Sequence, residues 1–121
     1  MHTKWHGKQA GARRAGCPAA QGVLELAILA ILADAPSYGG QIVERLSAQP
    51  GLAASRGTVY PLLARLKNAG ALATRWQESP VGPPRKLYQL TEEGRTSLRE
   101  LRAAWIQVHQ AVEYLMRDVR S

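Results

Sequence analysis

The sequence predicts a mainly α-helical protein with one small β-hairpin, and three observations lead to this fold class. Apolar residues recur at helical spacing along much of the chain. Two short runs of alternating polarity flank a turn rich in proline and glycine, at residues 78–84. Residues 92–121 carry apolar positions in a heptad repeat, which is typical of a helix that pairs with another helix.

The composition favours an anionic partner and a reducing compartment. The 121 residues predict one domain, and 16 Lys and Arg against 9 Asp and Glu give a net charge of +7. Such a charge favours nucleic acid, or less often a membrane surface. Cys17 is the single cysteine, so no internal disulfide can form. The most apolar run, Val23–Ala33, is far short of the ~20 residues of a membrane span, and the N-terminus lacks a signal-peptide pattern, so we expect a cytoplasmic protein without membrane contact.

The first half of the chain predicts an arm and two helices. Residues 1–21 are basic and lack apolar periodicity, so we expect a flexible arm. Gly22–Ala33 predicts a helix that is apolar on almost every side and therefore buried on several sides, partly against a second subunit. Asp34–Ser37 interrupts the helix, and Ser37 is the expected N-cap of a second helix over Tyr38–Ala48.

A third helix is expected to begin after Ser55, its predicted N-cap, and to end near Ala69, before Gly70. One helical face carries the apolar positions Val59, Leu62, Leu63 and Leu66. Pro61 lies deeper than the first helical position and has no N–H to donate, so the start of this helix is expected to be frayed or slightly bent.

A β-hairpin is predicted next, because Leu72–Gln77 and Arg85–Leu90 both alternate in polarity around the proline-rich turn. Trp76 and Tyr88 are expected to cover the inner face of this hairpin. Thr91 then predicts the N-cap of the last helix.

The last helix carries the clearest pattern in the chain. Its apolar positions are spaced 3 and 4 residues apart: Leu98, Leu101, Trp105, Val108, Val112, Leu115 and Val119. This seam runs for about three heptads, more than a small globule can cover alone. We therefore expect homodimerisation through the final helices, with the first helix and its Leu26 taking part.

Three helices followed by a hairpin describe a winged helix-turn-helix over residues 22–91, with a dimerisation helix at 92–121. In helix-turn-helix proteins the recognition helix lies in the major groove of DNA. Here the third predicted helix takes that position. The hairpin is then the wing, whose prolines stiffen its tip and reduce the cost of ordering on binding. Gly82 permits a close backbone approach, and Arg85 and Lys86 can pair with phosphate.

Two sequence blocks carry a resemblance to a known family. Gly57–Leu63 (GTVYPLL) and Gly82–Thr91 (GPPRKLYQLT), together with Tyr38-Gly39 and Trp105, resemble the PadR family of transcriptional regulators. The single short final helix resembles the smaller subfamily, whose members are homodimers. The resemblance implies a repressor on a pseudo-palindromic operator that a small molecule or another signal releases.

The expected DNA-binding residues lie on the recognition helix, before it and on the wing: Tyr38, Ser55, Arg56, Thr58, Tyr60, Pro61, Arg65, Gly82, Arg85 and Lys86. The resemblance implies that the Tyr60 hydroxyl reaches a DNA phosphate, and helical phase turns Tyr60 away from Leu62 and Leu66. Arg65 could instead lie along the solvent face, and Tyr38 could pack on the recognition helix.

The resemblance also implies an effector site between the subunits, at Leu26, Ala30, Trp105 and His109; dry interface packing is the alternative. The sequence contains no nucleophile with a base beside it and no phosphate-cradling glycine loop, so we expect neither an enzyme nor a cofactor or metal. Two other functions remain open. The net charge alone would satisfy a sequence-nonspecific architectural protein, and a winged helix can also serve as a protein-interaction adaptor.

Overall fold

The computed structural model describes residues 18–120, with side chains from residue 22 onward. Its order of elements confirms the predicted fold class of helices with a small antiparallel sheet, whose strand order is β1-β3-β2. The elements are α1 (Pro18–Asp34), β1 (Ser37–Tyr38), α2 (Gly39–Ser47), α3 (Arg56–Asn68), β2 (Leu72–Gln77), β3 (Arg85–Leu90) and α4 (Glu92–Met116).

Helix α1 begins four residues before the predicted Gly22. Pro18 fits a first helical position, where its missing N–H costs nothing, and Ala19 and Ala20 are strong helix formers. The remainder of the predicted arm, residues 1–17, lies outside the described residues. Within the part of the chain that the structure describes, no helix is long and apolar enough to cross a membrane.

The start of α2 differs from the prediction, because Ser37 is not its N-cap. Ser37 and Tyr38 instead form strand β1 and pair with Tyr88 and Leu87 of β3. The Ser37 hydroxyl donates to the carbonyl of Ala35 at 3.2 Å. Tyr38 is the N-cap, and its N–H donates to Oε1 of Gln41 at 2.9 Å. The third strand satisfies backbone groups along one edge of β3 that the hairpin alone would leave open.

The core lies between the first three helices and the sheet. The stripe predicted on α3 is buried, and the most deeply buried side chains are Ile28, Leu29, Ile42, Leu46, Val59 and Leu63. The first turn of α3 is intact, because the N–H groups of Thr58 and Val59 both donate to the carbonyl of Ser55 at 3.0 Å. The fraying expected from Pro61 was therefore wrong.

The wing does not bury both of its predicted aromatic residues. Tyr88 is 8% exposed, as expected, whereas Trp76 is 69% exposed. Tyr88 pairs with Thr74, and Trp76 pairs with Lys86, so both rings are on the same face of the sheet. Trp76 lies two residues nearer the tip, where the hairpin extends past the core and no apolar surface remains to cover the ring.

Helix α4 begins as predicted, since the Thr91 hydroxyl accepts a hydrogen bond from the N–H of Gly94 at 2.9 Å. The helix ends at Met116, so Val119 lies beyond it and does not continue the helical seam. The side chain of Arg117 donates to the carbonyl of Tyr114 at 2.6 Å and satisfies part of this helix end.

Candidate nucleic-acid interface

A cleft of about 680 Å³ separates the recognition helix α3 from the wing, which comprises β2, β3 and the turn between them. Five predicted DNA-binding residues line it: Tyr38, Arg56, Tyr60, Arg85 and Lys86. Residues that are far apart in sequence thus form one surface, and the antiparallel pairing of β1 with β3 places Tyr38 beside the wing.

The cleft carries an excess of positive charge. Arg56, Arg85 and Lys86 line it, against one carboxylate, that of Glu44. Within the described residues, none of these three cations has an ion-pair partner, whereas Arg45, for example, pairs with Asp34 at 3.7 Å. Unpaired cations that share a concave surface attract an anion of matching shape, such as the phosphate backbone of a duplex.

Tyr60 lies at the centre of this surface with 38% of its area exposed. Its hydroxyl accepts a hydrogen bond from Nη1 of Arg56, one helical turn away, at 3.0 Å. A phenolic oxygen that accepts in this way keeps its own hydrogen free to donate. The arrangement thus offers a phosphate both an O–H donor and a guanidinium.

The Tyr60 ring rests directly on the backbone of Gly39. A Cβ atom at residue 39 would lie 2.6 Å from the Tyr60 hydroxyl oxygen and 2.9 Å from Cζ. Real side chains do not approach so closely, so any larger residue at this position must displace the ring. The absence of a Cβ atom at Gly39 therefore allows the Tyr60 hydroxyl to lie where it does.

Gly39→Ala is expected to weaken DNA binding by roughly tenfold, because it moves a hydroxyl that would donate to a charged phosphate oxygen. The measurement is fluorescence anisotropy with a labelled duplex. Gly40→Ala is the matched control, since its Cβ would meet only the flexible end of Arg56, at 3.4 Å. Equal affinities for both variants would contradict the role given to Gly39.

Tyr88 also lines the cleft but is largely buried, and it keeps its hydroxyl proton at neutral pH. Burial, and secondarily the nearby Tyr60, raise the pKa of the Tyr88 hydroxyl above its ordinary value. The unfolded chain would therefore lose this proton at a lower pH than the folded protein does. The resulting contribution to stability is complete at neutral pH and is lost only in strongly alkaline solution.

Arg65 is not brought to the cleft. It lies nine residues after Arg56 on α3, about half a turn out of phase, and it forms an ion pair with Glu25 of α1. The Glu25 side chain is 16% exposed, so this pair is partly shielded from water. A DNA contact by Arg65 stays a prediction, and it would compete with this ion pair.

The remaining DNA-binding candidates lie around the cleft on exposed surface. Thr58 and Pro61 are on the outer face of α3, and Ser55 precedes its first turn without a side-chain cap bond. Gly82 is at the wing tip with a φ of +96°, a conformation that favours glycine. Their contacts with DNA stay predictions.

Among the cleft residues that sequence reasoning did not assign to DNA binding, Gly39 and Trp76 matter most for its geometry. Gly39 was noted only within the family resemblance, although it leaves the space that the Tyr60 ring occupies, and Trp76 was assigned to the hairpin interior. The position of Trp76 could have been found by counting pairs outward from the proline-rich turn, which sets it opposite Lys86. The Lys86 ammonium is 5.4 Å from the centre of the Trp76 ring.

A second, apolar site lies where α1 meets α4. A pocket of about 180 Å³ is lined by Gly22, Val23, Leu26, Leu101, Ala104, Trp105 and Val108. Two of the four predicted effector residues, Leu26 and Trp105, therefore meet there. Ala30 and His109 are not in its lining, although the His109 ring centre lies 5.6 Å from that of Trp105. An effector role for this site stays a prediction.

The fold and the cationic cleft define a winged-helix DNA-binding protein, and comparisons with known proteins identify its family. The family model of the transcriptional regulator PadR-like family matches residues 28–100. The chain belongs to this family and is a transcriptional regulator of the PadR type.

Individual relatives agree with this assignment. A transcriptional regulator of Mycobacterium tuberculosis is 35% identical over 96 residues, which are 79% of this chain and 81% of that protein. The solved PadR-like transcription factor of Bacteroides fragilis is 41% identical, with a TM-score of 0.68 over 78% of this chain and 91% of its own. The PadR-like regulator of Bacillus cereus is 33% identical, with a TM-score of 0.70 over 78% and 92%.

Proposed function

We propose that this protein is a homodimeric repressor that binds a pseudo-palindromic operator and leaves it when a small molecule or another signal binds. The observation that carries the proposal is the uncovered apolar face of α4. Beyond Leu101 every residue of the helix is exposed, yet its side chains at heptad spacing are large and apolar. A monomer rarely exposes a contiguous apolar surface of this kind.

A second copy of the chain fits this face best. Trp105, Val108, Val112 and Leu115 follow one another at steps of 3, 4 and 3 residues, the spacing that lets two helices interlock. A two-fold axis through such a seam would present two recognition helices to the same side of a duplex. The two half-sites would then lie roughly one DNA turn apart.

Release by a small molecule is supported by the position of the pocket beside Trp105. Residues of both α1 and α4 line it, and in a dimer the same seam would bring the partner subunit close. A ligand bound there would act by shifting the spacing between the two DNA-binding heads. It can do so only if its affinity differs between the arrangement of the heads that binds the operator and the arrangement that does not.

DNA from upstream of the protein's own gene is expected to bind more tightly than a scrambled duplex. Tyr60→Phe and Arg85→Ala are each expected to lower the affinity for the upstream DNA. Each variant removes one donor to phosphate, so a loss of roughly tenfold is expected. Fluorescence anisotropy at low and physiological salt measures both effects. Arg99→Ala is the control, because it deletes the same charge from an exposed site on α4 outside the cleft.

Unchanged affinity in both Tyr60→Phe and Arg85→Ala would contradict the assigned surface. Equal binding of the two duplexes, lost on adding salt, would leave only the electrostatic component of affinity. An architectural, sequence-nonspecific role would then replace the repressor. Absence of DNA binding by a folded protein would favour an adaptor that uses its winged helix to bind another protein.

A further inference from the structure

The geometry of the wing brings Arg85 back toward the body of the protein. Tyr38 pairs with Leu87 across β1 and β3, and Arg85 lies two residues before Leu87 on the same strand. Residues two apart on a strand share a face, so Arg85 and Tyr38 meet on one side of the sheet. The Arg85 Cζ atom lies 3.9 Å from the centre of the Tyr38 ring.

This distance corresponds to a guanidinium that lies on the face of the ring, at close contact. A planar guanidinium in that position keeps its N–H groups at its edges, where an anion can reach them. Within the described residues, the Arg85 guanidinium has no hydrogen bond or ion pair of its own. Its donors are therefore free, while the ring restricts its rotamers.

Tyr38 is itself held firmly. It belongs to β1, precedes the first residue of α2, and its N–H donates to the side chain of Gln41. Lys86 projects from the other face of β3, and its ammonium lies farther from its aromatic neighbour, 5.4 Å from the Trp76 ring centre. The two adjacent cations are thus unequal: one is a planar donor fixed on a platform, the other a flexible point charge.

We propose that the ring of Tyr38 is a platform that fixes the Arg85 guanidinium for contact with one DNA phosphate, so that Tyr38 acts by positioning Arg85 and not through its own hydroxyl. The proposal rests on the DNA-binding function proposed above and adds a division of roles within it. Arg85 contacts the phosphate, and Tyr38 reduces the ordering cost of that contact.

The test is a double-mutant cycle in duplex binding, measured by anisotropy at fixed salt with the full chain. Tyr38→Phe keeps the ring and is expected to retain the affinity that Tyr38→Leu loses. Tyr38→Leu removes the platform and is expected to lose affinity by about two- to fivefold, the range for a cation on an exposed aromatic face. In an Arg85→Ala background, Tyr38→Leu is expected to have no further effect.

Two results would overturn the proposal. Equal losses in Tyr38→Phe and Tyr38→Leu would show that the hydroxyl makes the contact. Full additivity of Tyr38→Leu with Arg85→Ala would show that the ring does not act through Arg85. Circular dichroism of each variant tests its folding, and a loss of affinity in Tyr38→Phe would overturn the proposal even if Tyr38→Leu is unfolded.

The cycle is run on both the upstream and the scrambled duplex, because a phosphate contact carries no sequence information. The same coupling is expected on both. If both duplexes bind equally but Tyr38 and Arg85 remain coupled, the repressor is refuted and the platform is not. If the upstream duplex is preferred but the two residues are not coupled, only the platform is refuted. Absence of binding to either duplex would overturn both.

Discussion

Val108→Asp is expected to convert the proposed dimer into monomers and to lower operator affinity by at least about a hundredfold. The substitution would bury a carboxylate in an apolar helix seam, where it has no partner. Two linked heads bind about 10² to 10⁴ times more tightly than one, so loss of the link removes that gain. Size-exclusion chromatography with light scattering gives the mass, and anisotropy with the operator duplex gives the affinity.

Gln110→Asp is the matched control, since residue 110 lies on the face of α4 opposite the seam. It adds the same charge and is expected to leave the dimer intact. Val108 is already 55% exposed in the single chain, so the aspartate should not unfold the helical domain itself. Survival of the dimer in Val108→Asp would exclude this seam as the dimer contact.

Local signals in the sequence were sufficient for several elements. The two wing strands occur at the predicted residues, because alternation of polarity around a rigid turn leaves one register that buries Leu72 and Leu90 together. Helix α3 follows Ser55, the predicted N-cap, and its predicted apolar stripe is buried. These features depend on neighbours within a few residues, and a single sequence contains that information.

Contacts between residues that are far apart in the sequence could not be predicted from local patterns. Strand β1 is only two residues long and forms because β3, some 50 positions later, offers an open edge. Arg65 forms its ion pair with Glu25, which lies 40 residues earlier in the chain. Nothing near Arg65 in the sequence distinguishes a cation that is paired with a carboxylate from one that is free for DNA.

The candidate site likewise combines residues that the sequence predicted with contacts that it did not. Tyr60, Arg85 and Lys86 were predicted as one surface, and the structure places them around one cleft. The support behind them was not predicted: Gly39 under Tyr60 and the Tyr38 ring under Arg85 depend on which backbone segments approach each other. Sequence patterns thus indicated groups that can bind phosphate, while tertiary packing decides how each one is held.

Gly94→Ala is expected to destabilise the protein by about 3 kcal/mol, the upper end of the usual range for overpacking. A Cβ atom at residue 94 would lie 2.2 Å from the carbonyl oxygen of Ala71 and 2.6 Å from Leu90 Cδ1. The first of these is backbone and cannot rotate away. The measurement is urea unfolding at equal protein concentration, since the proposed dimerisation would make stability concentration-dependent.

Gly51→Ala is the control for this substitution, because its Cβ would meet no atom within 4 Å.

The clash at Gly94 also has a consequence for function. Gly94 lies at the joint where Thr91, which caps α4, hydrogen-bonds the carbonyl of Ala71 just before β2. Relief of the clash is expected to move the start of α4 away from the wing, and so to change the angle between α4, the proposed dimerisation helix, and the rest of the domain. DNA affinity of the folded fraction should therefore fall as well. A variant that is destabilised but binds with unchanged affinity would show that this joint does not set the spacing of the two DNA-binding domains in the proposed dimer.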